Sequence, residues 1–358
     1  MKVLKLFILM FILNCPFIAG QTGTEKPKLY KADNPDIQYT GRIDFSNPEK
    51  PKFWASGVYI KAKFKGSFCK IIFTDEVLWG KEHNIFDVII DERSPLRIRS
   101  FGKENSVVVA QNIPGNEHTI TIVKDTEAKQ GYTEFIGFVC DSLLPLPPKP
   151  ERKIEFIGNS ITCGFGNDQS GLKCGEGEWY DHHTADLSYG PLTARALNAQ
   201  YHLSSYSGIG MVHSCCDLDM VISDVYENTD LNKGNNKWNF SKYVPDLVTV
   251  CLGQNDGVQD SVKFCDAYKK FIGTVRGHYP DAQIILLTSP MGDSLLTSTL
   301  KNYLSGIVTD LQKAGDNKVD RFSFCRQYIS GCDYHPDLKE HRMIADELIP
   351  FLRNKMNW

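Results

Sequence analysis

The sequence predicts an α/β protein made of two unlike domains. An all-β sandwich or jelly roll comes first, and a three-layer α/β/α domain on a parallel sheet follows. Three observations carry this. Apolar residues recur with period two between about Tyr39 and Cys140, Leu144-Pro145-Leu146-Pro147-Pro148-Lys149-Pro150 is proline-rich, and strand-like runs then alternate with helically spaced ones.

In the first region Val58, Ile60, Ala62 and Phe64 alternate with Tyr59, Lys61 and Lys63. Short runs of the same kind occur at Cys69–Phe73, Ile85–Ile90, Ser106–Val109, His118–Val123 and Tyr132–Val139, separated by turn residues. Short strands without helices pack as a sandwich or jelly roll. The proline run reads as a stiff, extended connection, because proline fixes φ and donates no ladder hydrogen bond. Beyond it, Ile154–Ile157, Tyr201–Tyr206, Leu247–Leu252, Ile284–Thr288 and Arg321–Phe324 are strand-like. Leu187–Asn198, Val262–Val275, Leu296–Leu311 and Lys339–Leu352 have helical spacing, a pattern that indicates a parallel sheet covered on both faces. The expected boundaries are a leader at 1–20, a β-sandwich at 27–142, a linker at 143–152 and the α/β domain at 153–358.

The 358 residues carry a net charge of -3 with the signs mixed and no basic stripe, so a nucleic-acid partner has no electrostatic footprint. Basic residues in Met1–Lys5, an apolar run Leu6–Leu13 and the small pair Ala19-Gly20 have the layout of a secretory leader cleaved near Gln21. That run is too short to span a bilayer, and Asn14 fits a lipidation signal at Cys15 poorly. Eleven cysteines, less Cys15, leave ten in an exported chain. Cys163 with Cys174, and Cys325 with Cys332, are spaced to close short loops; free buried thiols are the other reading, preferred for Cys251.

Ligands of parallel α/β sheets bind beyond the carboxyl ends of the strands. Three short segments fall there or before the last helix: Gly158-Asn159-Ser160-Ile161-Thr162, Gly253-Gln254-Asn255-Asp256 and Asp333-Tyr334-His335-Pro336. Ser160 is the candidate nucleophile, at a turn leading into a helix whose free N–H groups suit developing negative charge. An N-cap serine has the same appearance. Asn255 offers an amide to an oxyanion, and Gly208, ahead of Gly210, a backbone N–H. His335 is the candidate base, with Asp333 as its orienter through Nδ1. Asp337 and Glu340 have the spacing of a capping box that starts the last helix.

The order Ser, Asn, Asp-x-His resembles the SGNH (GDSL-type) hydrolases. The whole chain resembles the two-domain acetyl esterases of carbohydrate esterase family 2. Ile157–Gly166, Tyr206–Gly210, Pro245–Asp256 and Asp333–Pro336 carry that likeness, with Gly41-Arg42 and Trp54–Gly57 in the β-domain. The resemblance implies an SGNH-type hydrolase domain after a jelly roll. It implies Ser160 as nucleophile, Ser160, Gly208 and Asn255 as oxyanion donors, and His335 with Asp333 as base and orienter. The implied substrate is an acetylated plant-type carbohydrate, with no cofactor. Asn159 and Gln254 depart from the superfamily's Asp and Thr, and Asp-x-His is shorter than its Asp-x-x-His.

Trp179, Tyr180 and Trp238 are candidate sugar-contacting aromatics, with core packing as their ordinary alternative. His182 and His183 near Cys174 and Glu178 match no standard zinc spacing, so no metal is expected. A lipase or thioesterase on the same scaffold would want an apolar trough, and no apolar lid segment adjoins Ser160. A carbohydrate-binding protein with a relict hydrolase domain would not need all four polar residues.

Overall fold

Strict alternation builds the first domain. The computed structural model describes residues 26–358, so the leader expected at 1–20 lies outside them. Strand Tyr59–Lys65 buries Ile60, Ala62 and Phe64 and turns Lys61 and Lys65 outward, while Cys69–Asp75 buries every second residue. Two six-stranded antiparallel sheets result. One runs Ile43–Asp44, Lys52–Phe53, Thr133–Cys140, Cys69–Asp75, Glu104–Ala110, with Lys28–Lys31 added to Thr133–Cys140. The other runs Ser142–Leu144, Tyr59–Lys65, Glu117–Lys124, Ile85–Ile90, Leu96–Arg99, with Gln38–Thr40 added to Tyr59–Lys65. Phe73 and Phe86 meet between the sheets with ring centroids 4.9 Å apart. Gly137 lies at a register shift with φ +150°, where a Cβ would come within 2.1 Å of the Tyr30 carbonyl oxygen.

The last antiparallel strand ends at Leu144 and the first parallel strand begins at Arg152, with the prolines between them. Five parallel strands follow in the order Ala199–Ser205, Arg152–Gly158, Leu247–Cys251, Gln283–Leu287, Val319–Phe322. Adjacent residues of these strands serve opposite faces. Val248, Val250, Ile284 and Leu286 pack with Phe264, Ile272, Leu300 and Leu304 of helices Ser261–His278 and Ser294–Lys313. Leu247, Cys251, Ile285 and Leu287 pack with Leu192, Ile344 and Leu348 of helices Tyr189–Ala196 and Leu338–Met356. Asp337 and Glu340 form the capping box that starts the last helix.

The domains share buried polar contacts. Arg42 and Glu155, both with fully buried side chains, pair at 3.2 Å, and Arg42 also donates to the Asn228 carbonyl at 2.9 Å. The segment Lys124–Gln130 of the β-domain enters the α/β domain, where Asp125 accepts the Asp186 N–H at 3.2 Å. Among the described residues no helix is long and apolar enough to cross a membrane.

Candidate active site

The segment carrying the candidate nucleophile leaves strand Arg152–Gly158 through Asn159, whose side chain accepts the Ile161 N–H at 3.2 Å and caps the single-turn helix Ser160–Cys163. Gly158 is required by close approach, because a Cβ there would lie 2.1 Å from Thr162 Oγ1. Ser160 is only 6% exposed, and its hydroxyl lies 2.8 Å from His335 Nε2. His335 Nδ1 donates at 3.0 Å to a carbonyl oxygen, which leaves Nε2 as the acceptor for the serine proton. Burial lowers the His335 pKa from 6.5, only partly opposed by the Asp333 carbonyl and charge, so the imidazole is neutral and able to accept.

The carbonyl on Nδ1 belongs to Asp333, which corrects the expected carboxylate contact. Asp333 and Tyr334 are both left-handed, with φ 50° and 57°, and this turn directs the Asp333 main-chain oxygen at the ring while its side chain is exposed. Two residues of separation are enough for a turn carbonyl to reach the imidazole.

The second wall of the site is the turn after strand Ala199–Ser205. Gly208 has φ +86°, and its N–H has no acceptor among the described residues. Asn255 donates one amide hydrogen to the Ile209 carbonyl at 2.8 Å, which ties it to the turn beside Gly208 and leaves its other hydrogen unused. A serine hydroxyl on a ring nitrogen free to accept its proton is the pairing that acyl transfer requires.

The β-domain segment 39–150 matches the Carbohydrate esterase 2 N-terminal family, and 156–323 matches the GDSL-like Lipase/Acylhydrolase family. A family two carbohydrate esterase from Clostridium thermocellum, solved in complex with cellohexaose, superposes with TM-score 0.82 at 34% identity, covering 90% of this chain and 99% of that one. The chain belongs to carbohydrate esterase family 2. It is accordingly a serine ester hydrolase.

A family two esterase from Cellvibrio japonicus also superposes, with TM-score 0.84 at 28% identity over 93% of this chain and 99% of the other. By sequence, this family 2 esterase is 36% identical to the cellulase/esterase CelE of Acetivibrio thermocellus across 91% of its own length, but spans only 40% of CelE. It is 28% identical to an acetylxylan esterase / glucomannan deacetylase of Cellvibrio japonicus, covering 91% of this chain and 94% of the relative.

The aromatic candidates separate in the folded esterase. Trp179 stacks on Phe165 at 5.8 Å, and Phe165 packs at a tilt on the His335 ring at 4.4 Å, so Trp179 lies one ring away from His335. Tyr180 is fully buried between the domains, and its hydroxyl accepts the His83 N–H. Trp238 is 7% exposed, packs on His202 at 5.5 Å, and shares a cavity with Lys153 and Gln200, at the beginnings of their strands. Ser160 follows the opposite strand end, so Trp238 stands away from it, and Tyr180 presents no exposed ring face. Tyr334, 77% exposed, adjoins His335, and as a lone tyrosine in a loop it carries no periodic signal in the sequence.

Asp256, which closes the Gly253–Asp256 segment, has a contact that the segment alone does not reveal. Its carboxylate accepts from the backbone N–H groups of Met211, Val212 and His213 at 2.7 to 3.0 Å, and so clamps the loop that carries Gly208. Sequence proximity to Asn255 was the available clue. The disulfide joins Cys174 to Cys332, one cysteine from each expected pair, with Cα atoms 5.2 Å apart. Cys163 and Cys325 are free. The long loop after the nucleophile folds onto the base loop, where the Cys332 N–H donates to the Gly166 carbonyl at 2.8 Å, and that brings Cys174 across. A second disulfide links the neighbours Cys215 and Cys216. His182 bonds the carbonyls of Asp168 and Glu176, and no cluster among the described residues could hold a metal ion.

Proposed function

We propose that this family 2 esterase is an exported carbohydrate O-acetyl esterase acting on acetylxylan- or acetylglucomannan-type chains through a serine acetyl-enzyme. The observation that carries the mechanism is the 2.8 Å contact from Ser160 Oγ to His335 Nε2, with Nδ1 already committed to a carbonyl. Ser160 attacks the acetyl carbonyl as His335 takes its proton. The Ser160 and Gly208 N–H groups and the Asn255 amide receive the tetrahedral oxyanion. The imidazolium then protonates the departing sugar oxygen, and water activated by the same histidine releases acetate. Asp333 contributes through its carbonyl, and Trp179 and Tyr334 offer ring faces to sugar at the approach.

The substrate class draws support from the Cellvibrio relative named acetylxylan esterase / glucomannan deacetylase and from the cellohexaose-bound Clostridium structure. Export is supported by the leader-like N-terminus and by the Cys174–Cys332 bridge, which suits an oxidising compartment. Acetate release from acetylated xylan and glucomannan tests the reading. Wild-type protein is expected to release it and folded Ser160→Ala to lose it. Turnover retained by Ser160→Ala would remove the serine mechanism, and preference for long-chain esters over acetyl esters would point to a lipase.

A further inference from the structure

The β-domain reaches the catalytic turn with one carboxylate. Glu127, fully buried, accepts the Ser207 N–H at 2.6 Å, and the same oxygen lies 3.7 Å from the Cys163 thiol, which also has Ser205 Oγ at 3.2 Å. Cys163 ends the nucleophile helix, and Ser207 immediately precedes Gly208. One side chain from the other domain therefore ties together the two segments whose relative placement decides where an oxyanion could sit. The other carboxylate oxygen faces His183 Nε2 at 3.8 Å, and His183 Nδ1 accepts the Gly166 N–H at 3.4 Å.

The support beneath Glu127 is rigid. Lys124 Nζ, fully buried, donates to the carbonyls of Trp54, Thr126 and Glu127 at 2.8, 2.7 and 3.1 Å. Gln130 closes the loop by accepting the Glu127 N–H at 3.1 Å. Burial alone pushes the Glu127 carboxyl upward, but His183 and the Ser207 N–H outweigh it and hold the group below its ordinary value, as an anion.

We infer that Glu127 is a positioning residue for the esterase reaction, holding the Ser207–Gly208 turn against the nucleophile helix so that the Gly208 N–H meets the oxyanion. This rests on the oxyanion assignment above and makes the β-domain part of the catalytic apparatus. The role is one of reach: an acceptor must stand at the end of a glutamate-length side chain.

The test compares Glu127→Gln, Glu127→Asp and Glu127→Ala in the full chain, with Ser160→Ala alongside. The Asp and Ala variants are expected to lose about 10- to 100-fold in kcat with KM within about twofold, as for a misplaced oxyanion donor. Glu127→Gln, which keeps an acceptor at the same reach, should recover most of that loss. The acidic limb of kcat/KM should stay with His335 in all of them. Should Glu127→Ala fail to fold, Asp against Gln carries the comparison. Wild-type kcat in folded Asp and Ala variants overturns the inference, and so does a change confined to KM. Loss in Gln with retention in Asp overturns it too, by showing that charge rather than reach matters. If Ser160→Ala stays active, the catalytic reading itself falls; if Ser160→Ala is dead while every Glu127 variant matches wild type, only this inference falls.

Discussion

At the residue scale, the proposed base, His335, is held by a backbone carbonyl. Because the Asp333 carbonyl survives side-chain truncation, Asp333→Ala is expected to keep kcat within about threefold, the size of an ordinary surface substitution. His335→Ala should cost at least about 10²-fold, since it removes the proton acceptor. The pH dependence follows from burial of the imidazole. A base must be neutral to act, and a pKa lowered from 6.5 keeps it neutral into mildly acid solution. The acidic limb of kcat/KM should therefore fall below pH 6.5, and lower still in Asp333→Ala, where the charge that raises the pKa is lost. A large kcat loss in Asp333→Ala, together with a strong shift of the limb to lower pH, would restore a catalytic role to the carboxylate.

At the element scale, the catalytic loops are fastened sideways to one another rather than each to its own strand. Asp256, next to Asn255, collects the N–H groups of Met211 to His213. Removing the side-chain acceptor shared by several backbone donors leaves them unpaired. Asp256→Ala should then lower stability by about 2–4 kcal/mol in denaturant unfolding and reduce kcat as the Gly208 loop loosens. Asp256→Asn, which keeps one oxygen, should fall between that variant and wild type. Equal kcat and equal midpoints for all of them would make the clamp irrelevant. Similarly, Cys174–Cys332 and the Gly166–Cys332 hydrogen bond join the loop after the nucleophile to the loop before the base.

For the whole molecule, the interface between the domains is buried and charged. Arg42 lies over the Tyr226 and Phe240 rings at 4.9 and 5.5 Å while its guanidinium pairs with Glu155. Taking away one partner of a fully buried pair strands the other, so Arg42→Met should cost about 3–5 kcal/mol. Replacing both, as Arg42→Met with Glu155→Leu, should recover much of that. The two domains should also melt in a single calorimetric transition, because Lys124–Gln130 and Arg42 belong to both. Two separated transitions in the wild-type protein would mean that the interface contributes little to either domain.

The sequence by itself determined what local pattern controls. Alternation in Tyr59–Lys65 and Cys69–Asp75 specified the antiparallel sheets, and continuous apolar runs such as Leu247–Cys251 specified strands buried on both faces. The Ser, Asn and Asp-x-His segments were legible because each sits next to a readable strand or helix end. Only the tertiary structure decided which atom of Asp333 faces His335, which cysteine bridges Cys174, and that Tyr180 and Trp238 are interior. It also decided that Glu127, in a loop with no motif of its own, ends beside Ser207. These are contacts between segments 80 or more residues apart, or choices made by a left-handed turn. Periodicity reports which face of an element is buried; it carries no information about what another element brings to meet that face.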